Sequence, residues 1–368
     1  METNITRPTL ILNKSICLQN IERMAEKARK HQLRFRPHFK THQSIDVGRW
    51  FRSTGVESIT VSSVQMARYF ASDGWKDITI AFPFNIPETD ELSKLSTLGR
   101  INILVDNRDT VLSVGTKLMG TVGVYIKIRT DYFRTGVSWS ENKKIHEIIR
   151  TIEKHKNLSF LGFLTHSGHT YQARSKNEIQ QMHFDTLGKL NRLKEQFIHA
   201  YPNLELSIGD TPSCSVSDFF EGIDEIRPGN FVFYDLMQHQ LHACSIDDIA
   251  LSMHCPVVSK QKARSEIVVY GGAVHFSKEW IRNTDGKELY GRVRIRHNDQ
   301  GTKLLPSTSY LCRLTQEHGV IRLSQAAFQH VQPGDIVEII PVHACLTAHA
   351  MGRYITLQGE VMEMMPRF

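Results

Sequence analysis

The sequence is most informative at Leu33-Arg34-Phe35-Arg36-Pro37-His38-Phe39-Lys40-Thr41-His42. Side chains alternate along a β-strand, which predicts that Arg36, His38, Lys40 and His42 share one face and the phenylalanines share the other. In a barrel surrounded by helices, the apolar face points outward and the basic face points inward. Because buried charges are costly unless they are paired, we expect the end of this strand, with Lys40, to open into a polar site. A solvated edge strand is the alternative that the alternation leaves open.

Short β-branched or aromatic runs alternate with amphipathic segments from residue 18 to residue 240. The runs predict eight strands: Leu33–Phe39, Glu57–Ser62, Asp77–Phe82, Ile101–Val105, Val122–Ile128, Leu158–Thr165, Leu204–Ile208 and Glu225–Phe233. Apolar residues at three- and four-residue spacing predict helices between them, among them Val64–Ser72, Glu88–Leu98, Asn142–His155 and Ile179–Phe197. Eight alternations favour a (β/α)8 TIM barrel. A doubly wound sheet is the alternative, but the glycine-rich dinucleotide turn that it needs is absent.

The pattern changes after Cys244, where long amphipathic segments are missing and turn residues separate short strand-like runs. These runs are Ile267–Tyr270, Arg292–Ile295, Gly319–Leu323, Ile336–Pro341 and Tyr354–Met362. They predict a smaller all-β domain, which the β-rich opening Thr9–Ile16 is expected to join. We therefore predict a barrel over residues 18–243 and a β domain formed by residues 1–17 and 244–368.

The composition is that of a globular protein, with 40% hydrophobic and 23% charged residues among 368. Lys and Arg exceed Asp and Glu by 45 to 38, but the excess is spread along the chain, which favours an anionic small ligand over a nucleic acid. The opening residues do not show the basic and then apolar pattern of a signal peptide, and no apolar run is long enough to predict a membrane span. Its six cysteines lie far apart, so we expect reduced thiols in a cytoplasmic protein.

Lys40 has the setting of a Schiff-base lysine, because an amine at the end of a strand and among other cations suits a depressed pKa. A free aldehyde is one partner, and pyridoxal 5'-phosphate is the commoner one, which needs a phosphate cradle. Two segments offer such a cradle, Gly209-Asp210-Thr211-Pro212-Ser213 after the seventh strand and Arg227-Pro228-Gly229-Asn230 within the eighth. Loops at the ends of these two strands form the usual phosphate site of a barrel. Taken singly, each segment is also an ordinary turn.

Two further segments place polar groups just beyond strands. His166-Ser167-Gly168-His169-Thr170-Tyr171 follows the sixth strand, and its glycine permits close backbone approach. Arg134 follows the fifth strand and would contact the phenolic oxygen of the cofactor. The alternatives are a hydrogen-bonded buried His166, a packing Tyr171 and a surface ion pair for Arg134.

His343 and Cys345 form an H-x-C pair near the end of the chain. If this segment is extended, both side chains lie on one face, about 7 Å apart, and both are good zinc ligands. A structural zinc needs four ligands, so a lone pair is weak evidence. An incomplete protein shell is nevertheless what a catalytic metal needs.

Seven segments together resemble the fold-type III pyridoxal phosphate enzymes, specifically the D-serine dehydratase and D-threonine aldolase group. The segments are Arg36–His42, Arg134–Gly136, His166–Tyr171, Gly209–Ser213, Arg227–Asn230, Glu317–Gly319 and His343–Cys345. They occur in the family's order and span nearly the whole chain. The resemblance implies an alanine racemase-like barrel followed by a β domain.

The resemblance also assigns roles to residues. It implies a Schiff base on Lys40, phosphate contacts from Tyr171, Thr211, Gly229 and Asn230, and ring contact from Arg227 or Arg134. Ser213, in the first cradle segment, and His166 complete the cofactor set. His343 and Cys345 would bind a divalent metal, with zinc ahead of manganese or magnesium, and the family implies a homodimer.

The resemblance implies a lyase that acts on a D-3-hydroxy amino acid, with Lys40 as the base for the α-proton. D-serine dehydration to a 2-oxo acid and ammonia is the first expectation. Retro-aldol cleavage to glycine and an aldehyde is the alternative, with His42 or His166 as its base. An amino-acid racemase and a non-catalytic binder of cofactor or RNA are the remaining alternatives.

Three positions depart from the pattern of the group: Tyr270, Val342 and Gln43 stand where aspartate, asparagine and lysine are common. None of them is the Schiff-base lysine or a member of the metal pair. The departures therefore bear on the choice of substrate.

Overall fold

A computed structural model describes residues 5–297 and 301–366 of the chain. The chain divides into two compact units, Ile21–Phe231 and Met1–Asn20 with Val232–Phe368. The domain limits inferred from the sequence stay a prediction. Within the described ranges, every helix is too short or too polar to cross a bilayer.

The strands and helices are numbered in chain order. The strands are β1 Thr9–Leu12, β2 Arg34–Phe35, β3 Ser58–Val61, β4 Asp77–Pro83, β5 Arg100–Val105, β6 Val122–Arg129, β7 Val137–Ser138, β8 Leu158–Leu164, β9 Glu205–Ile208, β10 Glu225–Ile226, β11 Leu251–Gln261, β12 Glu266–Tyr270, β13 Ile281–Arg282, β14 Glu288–Leu289, β15 Gly291–His297, β16 Gly301–Leu304, β17 Tyr310–Leu314, β18 His318–Arg322, β19 Ile336–Pro341, β20 Arg353–Thr356 and β21 Val361–Glu363. The helices are α1 Lys14–Lys30, α2 Ile45–Trp50, α3 Val64–Ala71, α4 Thr89–Leu95, α5 Arg108–Lys117, α6 Asn142–Glu153, α7 Lys176–Phe197, α8 Thr211–Val216, α9 Leu236–Gln240, α10 Ala273–Phe276, α11 Gln325–His330 and α12 Ala344–Met351.

Parallel strands form a closed barrel in the first unit, which confirms the predicted fold. Their order around the barrel is β2-β10-β9-β8-β6-β5-β4-β3, and β7 pairs with β6 outside this path. A parallel bridge between His38 and Thr60 joins the segment after β2 to β3. The Phe39 N–H donates to Thr60 O at 2.8 Å, and the Thr60 N–H donates to Pro37 O at 2.9 Å. These bonds close the ring that eight strand–helix alternations predict.

Side-chain caps define where several barrel helices begin. Ser63, Asn107, Ser175 and Asp210 each accept a hydrogen bond from a backbone N–H in the first turn of α3, α5, α7 and α8. Such a bond satisfies one of the N–H groups that a helix start leaves without an intrahelical partner. Helix α3 begins at the predicted residue, and helix α7 begins three residues before its predicted start.

The first strand is much shorter than predicted, because the chain turns after His38. The Gln43 N–H donates to Phe39 O at 3.0 Å and closes the turn. The ring of His42 lies 4.4 Å from the ring of Phe39, so both side chains pack on the same side of the backbone. The prediction that His42 shares a face with Lys40 is therefore wrong, since alternation ends where the strand ends.

Charged residues on the floor of the barrel pair with one another. The guanidinium of Arg36 is fully buried and donates to Glu225 Oε2 and to Asp77 Oδ1, each at 2.6 Å. Arg34 pairs with Glu205 at 2.7 Å. The three carboxylates belong to the first residues of β4, β9 and β10, which places this network at the N-terminal ends of the strands. Arg36 thus stabilises the floor and does not belong to the polar mouth expected from the sequence.

In its described part, the second unit contains a ten-stranded sheet and a separate pair of short strands, β13 with β14. The pairs of the large sheet are antiparallel except for β1 with β20. The order is β12-β18-β17-β15-β19-β11-β1-β20-β21, with β16 on β15 and a further pairing of β12 with β11. Strand β1 pairs with β11 over Thr9–Leu12. The opening segment ends there, because Asn13 Oδ1 accepts from the Ile16 N–H at 3.2 Å as helix α1 begins. The predicted strand Tyr354–Met362 is two strands, β20 and β21, separated by a turn in which Gly359 has φ +87°.

Candidate active site

Lys40 lies at the C-terminal mouth of the barrel, two residues beyond the closing bridge. Its side chain is exposed, and its backbone N–H donates to Nδ1 of His38 at 3.3 Å. The imidazole of His38 is buried beneath it. Burial lowers the pKa of His38 well below its ordinary value, and the charges of Lys40 and Arg227 lower it further. A neutral imidazole therefore lies beside the candidate Schiff-base amine.

His166 is the second imidazole of the mouth. Its Nδ1 donates to Gly209 O at 2.6 Å, because a carbonyl oxygen can only accept, and this bond leaves Nε2 as an acceptor. Burial is the main cause that lowers the pKa of His166, and the charges of Lys127 and Lys40 act in the same direction. The predicted positions of Lys40 and His166 at one end of the barrel agree with this arrangement.

The loop after β9 presents two buried hydroxyls. Among the described residues, Thr211 Oγ1 and Ser213 Oγ have no hydrogen-bond partner. Asp210, the residue before Thr211, does not bond to either hydroxyl. Its Oδ1 accepts from the Ser213 N–H at 2.7 Å and from Thr170 Oγ1 at 3.0 Å. Burial raises the pKa of Asp210 to about 6. Unpartnered buried hydroxyls are uncommon in folded proteins, and a phosphate group would satisfy both.

Gly229 lies against the segment that carries Lys40. A Cβ atom at this position would meet His38 O at 2.9 Å and Thr41 Oγ1 at 3.1 Å, so only glycine fits without a shift. The next residue, Asn230, is buried and begins a short 3-10 turn, Asn230–Val232. The second cradle segment thus packs directly on the first.

Arg227 is buried between strands β8 and β9. Its Nε donates to Ser207 Oγ at 2.7 Å, and its Nη2 donates to Thr165 O. Burial lowers the pKa of Arg227 to about 10, which leaves the guanidinium charged at neutral pH.

Two predicted site residues lie on the rim. Arg134 is exposed and stacks over the ring of Tyr132, with 5.2 Å from its Cζ to the ring centre. The ring of Tyr171 lies 6.4 Å from the ring of His166. Arg134 lowers the pKa of His166, so its charge acts on the same site.

Lys127 is a residue of this end of the barrel that the sequence analysis missed. It lies on β6 and is buried, and burial followed by the charges of Arg227 and Arg134 lowers its pKa well below the ordinary value. The available signal was a lysine inside the otherwise apolar run Val124–Ile128. Inward-facing polar residues in a buried strand are candidates for a site.

His42 differs from the other predicted catalytic residues in its surroundings. Its ring packs against Phe39, Phe51 and Phe70, and its Nδ1 accepts from the Ser44 N–H at 3.2 Å. Burial lowers its pKa to about 3. Its role in catalysis stays a prediction, whereas its packing with these rings is evident.

His343 and Cys345 lie in the second unit at the start of helix α12, so the extended conformation that the sequence analysis considered as a condition is not adopted. His343 is the N-cap of α12, and Cys345 is the second residue of that helix. Burial alone lowers the pKa of His343, but the hydrogen bond and charge of Cys345 outweigh it and raise the pKa to about 9. The described residues contain no cluster of three or more side chains that would enclose a metal ion.

The pair still fits a metal that has open positions. His343 Nδ1 is a buried atom with no hydrogen-bond partner in the described part of the chain. An imidazole and a thiolate suit zinc and other borderline-soft ions. Two protein ligands leave the remaining positions for water or substrate, as in a catalytic metal site.

Comparison with protein families identifies the barrel unit. The family model described as alanine racemase, N-terminal domain, matches residues 14–236. The chain belongs to this family. A second family model, described as putative serine dehydratase domain, matches residues 250–357.

Several characterised relatives match the chain over nearly its full length. A D-serine dehydratase of Dictyostelium discoideum is 25% identical and covers 97% of this chain and 94% of its own length. A D-threo-3-hydroxyaspartate dehydratase of Delftia sp. HT23 is 26% identical, with coverage of 96% and 94%. A 3-hydroxy-D-aspartate aldolase of Paracoccus denitrificans is 24% identical, with coverage of 98% and 91%.

Solved structures share the fold of both units. The Delftia sp. HT23 dehydratase superposes with a TM-score of 0.89 at 25% identity, covering 98% of this chain and 97% of the other. A cysteine-to-alanine mutant of D-threo-3-hydroxyaspartate dehydratase in the metal-free form gives 0.90 at 25% identity, with coverage of 98% and 97%. D-threonine aldolase from Filomicrobium marinum gives 0.80 at 17% identity, with coverage of 100% and 99%, a likeness of fold alone.

Proposed function

We propose that this protein is a pyridoxal 5'-phosphate- and divalent-metal-dependent lyase that dehydrates a D-3-hydroxy amino acid to a 2-oxo acid and ammonia. The observation that carries the proposal is the pair of buried hydroxyls without partners, Thr211 Oγ1 and Ser213 Oγ, at the barrel mouth that also holds Lys40. Two full-length relatives that are named dehydratases support it.

Different residues of the mouth would contact different parts of the cofactor. Lys40 would bind its aldehyde, and Arg227 or Arg134 would contact its ring. The phosphate would be held by a group of polar residues and a close backbone approach, namely Tyr171, Thr211, Ser213, Gly229 and Asn230. When bound, this cofactor supplies an electron sink for the bonds of the substrate α-carbon.

The protein's own groups would move the protons. The amine of Lys40 is the base for the substrate α-proton, and it is accessible at the mouth. His166 presents Nε2 as an acceptor because its Nδ1–H is held by Gly209 O. In the dehydration the substrate hydroxyl leaves with its proton, so His166 would take a hydroxyl proton only in the aldol cleavage described below. The low pKa of His166 keeps the imidazole neutral and therefore ready to accept.

His343 and Cys345 would hold the metal. A divalent ion supplies Lewis acidity toward a substrate hydroxyl. A metal-free form of the related dehydratase carries a cysteine-to-alanine mutation, which supports a cysteine ligand. Zinc is the ion we propose, with manganese or magnesium as alternatives. The homodimer and the cytoplasmic location stay predictions.

Aldol cleavage is the second candidate function, because one full-length relative is named an aldolase. The same residues would serve it, with His166 or His42 as the base that takes the hydroxyl proton. The two reactions differ in the bond that breaks at the β-carbon, and so in their products.

A substrate panel tests the proposal. Purified protein is incubated with D-serine, D-threonine and D-threo-3-hydroxyaspartate, and 2-oxo acids, ammonia, glycine and aldehydes are measured. We expect 2-oxo acid and ammonia in equal amounts, and loss of both with a chelator or with Lys40→Ala. Glycine with an aldehyde would establish the aldolase instead. Conversion to the L-enantiomer that a chelator leaves unchanged would establish a racemase.

A further inference from the structure

Arg227 carries a buried positive charge with no carboxylate in ion-pair distance among the described residues. Its contacts are the hydroxyl of Ser207 at Nε, and the carbonyl oxygens of Thr165 and Ser207 at Nη2. A guanidinium is a planar fork of donors, so fixing two of its nitrogens fixes the direction of the third. Nη1 is therefore the nitrogen that Arg227 can offer to a ligand.

Ser207 links this guanidinium to an acid. The Ser207 hydroxyl donates to Glu225 Oε1 at 2.6 Å, and both side chains are fully buried. A hydroxyl has one proton, and this proton is committed to the carboxylate. The oxygen of Ser207 is then oriented to accept from Arg227 Nε and cannot rotate to donate to another group.

Glu225 is itself held in place from below. Its second oxygen, Oε2, accepts from Arg36 Nε at 2.6 Å. Arg36 is anchored in turn by Asp77. A continuous chain of hydrogen bonds therefore connects the floor of the barrel to Arg227. It runs through Asp77, Arg36, Glu225 and Ser207. The neighbours of each group determine which atom donates and which accepts.

We propose that Glu225, acting through Ser207, is a positioning residue that orients Arg227 toward the ring of the bound cofactor and keeps it charged. The inference rests on the proposed function, because it assumes that the cofactor occupies the mouth. Neither residue touches the cofactor in this scheme, so neither is a catalytic residue.

Electrostatics favour the same role. Burial is the main influence on the pKa of Arg227 and lowers it to about 10, and the charge of Glu225 is the strongest influence in the opposite direction. The Ser207 hydroxyl donates to Glu225 and accepts from Arg227, so the carboxylate orients the guanidinium without a direct ion pair. A direct ion pair would turn the guanidinium toward Glu225 and away from the mouth.

The decisive variant is Ser207→Ala, and Thr79→Val is its matched control. Thr79 is also fully buried in the barrel, and its hydroxyl bonds only to Asn102 Nδ2, at 3.1 Å, among the described residues. Apoprotein of each variant is titrated with pyridoxal 5'-phosphate, and the dissociation constant and the absorbance spectrum from pH 6 to pH 10 are recorded. We expect the dissociation constant of Ser207→Ala to rise about tenfold, with a changed spectrum, because a charge-assisted hydrogen bond is lost. Thr79→Val should keep the wild-type constant and spectrum.

Glu225→Gln provides the second measurement. Without the carboxylate charge, Arg227 loses its proton at lower pH, so the affinity for pyridoxal 5'-phosphate should fall at a lower pH than in the wild type. Ser207→Cys keeps a small side chain but donates weakly, and it replaces Ser207→Ala if that variant does not fold.

The outcomes separate this inference from the proposed function. If wild-type apoprotein takes up no pyridoxal 5'-phosphate, the proposed function is wrong, and so is the positioning role of Glu225 and Ser207. The second case is a wild type that binds the cofactor and a folded Ser207→Ala, or Ser207→Cys in its place, with the wild-type dissociation constant and spectrum. Only the positioning role of Glu225 and Ser207 is then overturned.

Discussion

The imidazole of His42 is fully buried within reach of three phenylalanine rings, at centroid distances of 4.4 Å from Phe39 and 5.8 Å from Phe51 and Phe70. Burial lowers the pKa of His42 to about 3, so the imidazole is neutral in the folded protein above that pH. The unfolded chain takes up a proton near pH 6.5. Folding therefore becomes less favourable as the pH falls below about 6.5, because only the unfolded chain gains the proton.

Replacing His42 by phenylalanine should remove that pH dependence. From pH 6.5 to pH 5, the wild type should lose about 2 kcal/mol of unfolding free energy to this group, and His42→Phe should lack that loss. Urea denaturation at the two pH values measures the difference. The control His199→Gln changes an exposed histidine and should keep the wild-type slope. An unchanged slope in His42→Phe would contradict the burial of a neutral imidazole.

The elements of the site differ in how far the sequence predicted them. Strands β5, β6 and β8 begin and end within one residue of the predicted bounds, because long buried runs of β-branched and aromatic residues mark them clearly. Strands β2 and β10 have two residues each, far fewer than predicted. The chain leaves the sheet there to bring Lys40 and Asn230 to the mouth, and local hydrophobic patterns do not record such a turn.

Helix α12 shows the limit of local patterns most clearly. The Ala344 N–H at its start donates to Asp235 Oδ2 at 3.0 Å, a contact between residues more than a hundred positions apart. Periodicity could not reveal this bond, so the sequence alone left the conformation of this segment open. The prediction that His343 and Cys345 bind a metal did not depend on an extended conformation, because the family resemblance also implied these two ligands.

Gly229 tests the packing of the two cradle segments. In Gly229→Ala, the new Cβ would meet His38 O at 2.9 Å, so the segment that carries Lys40 must shift. We expect a loss of about 1–3 kcal/mol in unfolding free energy and weaker binding of pyridoxal 5'-phosphate. The control Gly188→Ala, in α7, has no heavy atom within 4 Å of its new Cβ and should gain about 0.5–1 kcal/mol. Equal stability and affinity in the two variants would contradict the close packing at Gly229.

The metal pair makes a separate prediction at the start of α12. His343→Ala removes one of the two proposed ligands, so the metal content of the purified protein should fall well below that of the wild type. Elemental analysis measures it, and bound cofactor is measured on the same samples. The control His349→Ala changes another histidine of the same helix and should keep the metal. Undiminished metal in His343→Ala would exclude this residue as a ligand.

The whole barrel separates a stabilising floor from a reactive mouth. Alternation along the sequence predicted the barrel. It also placed Lys40 and His166 at the mouth, because both residues follow predicted strands, although the exact end of β2 was not predicted. It did not predict that Arg36 pairs with Glu225 and Asp77, since each partner comes from a distant strand and only closure of the barrel brings them together.

Breaking the floor network should destabilise the molecule. Arg36→Met leaves Glu225 and Asp77 without their buried cation, and removing one partner of a buried pair costs about 3–5 kcal/mol of unfolding free energy. Thermal and urea denaturation measure the loss. Arg68→Met removes an exposed partner of Glu91 and should leave the midpoints near those of the wild type. If Arg36→Met were as stable as Arg68→Met, the floor network would contribute little to the free energy of unfolding.

Attachment of the cofactor to Lys40 can be measured directly. The protein is saturated with pyridoxal 5'-phosphate, reduced with borohydride, digested and analysed by mass spectrometry. We expect one phosphopyridoxyl group per chain, on the peptide that contains Lys40, and none in Lys40→Arg. A label on Lys127 or another lysine, or no label under saturating cofactor, would contradict it.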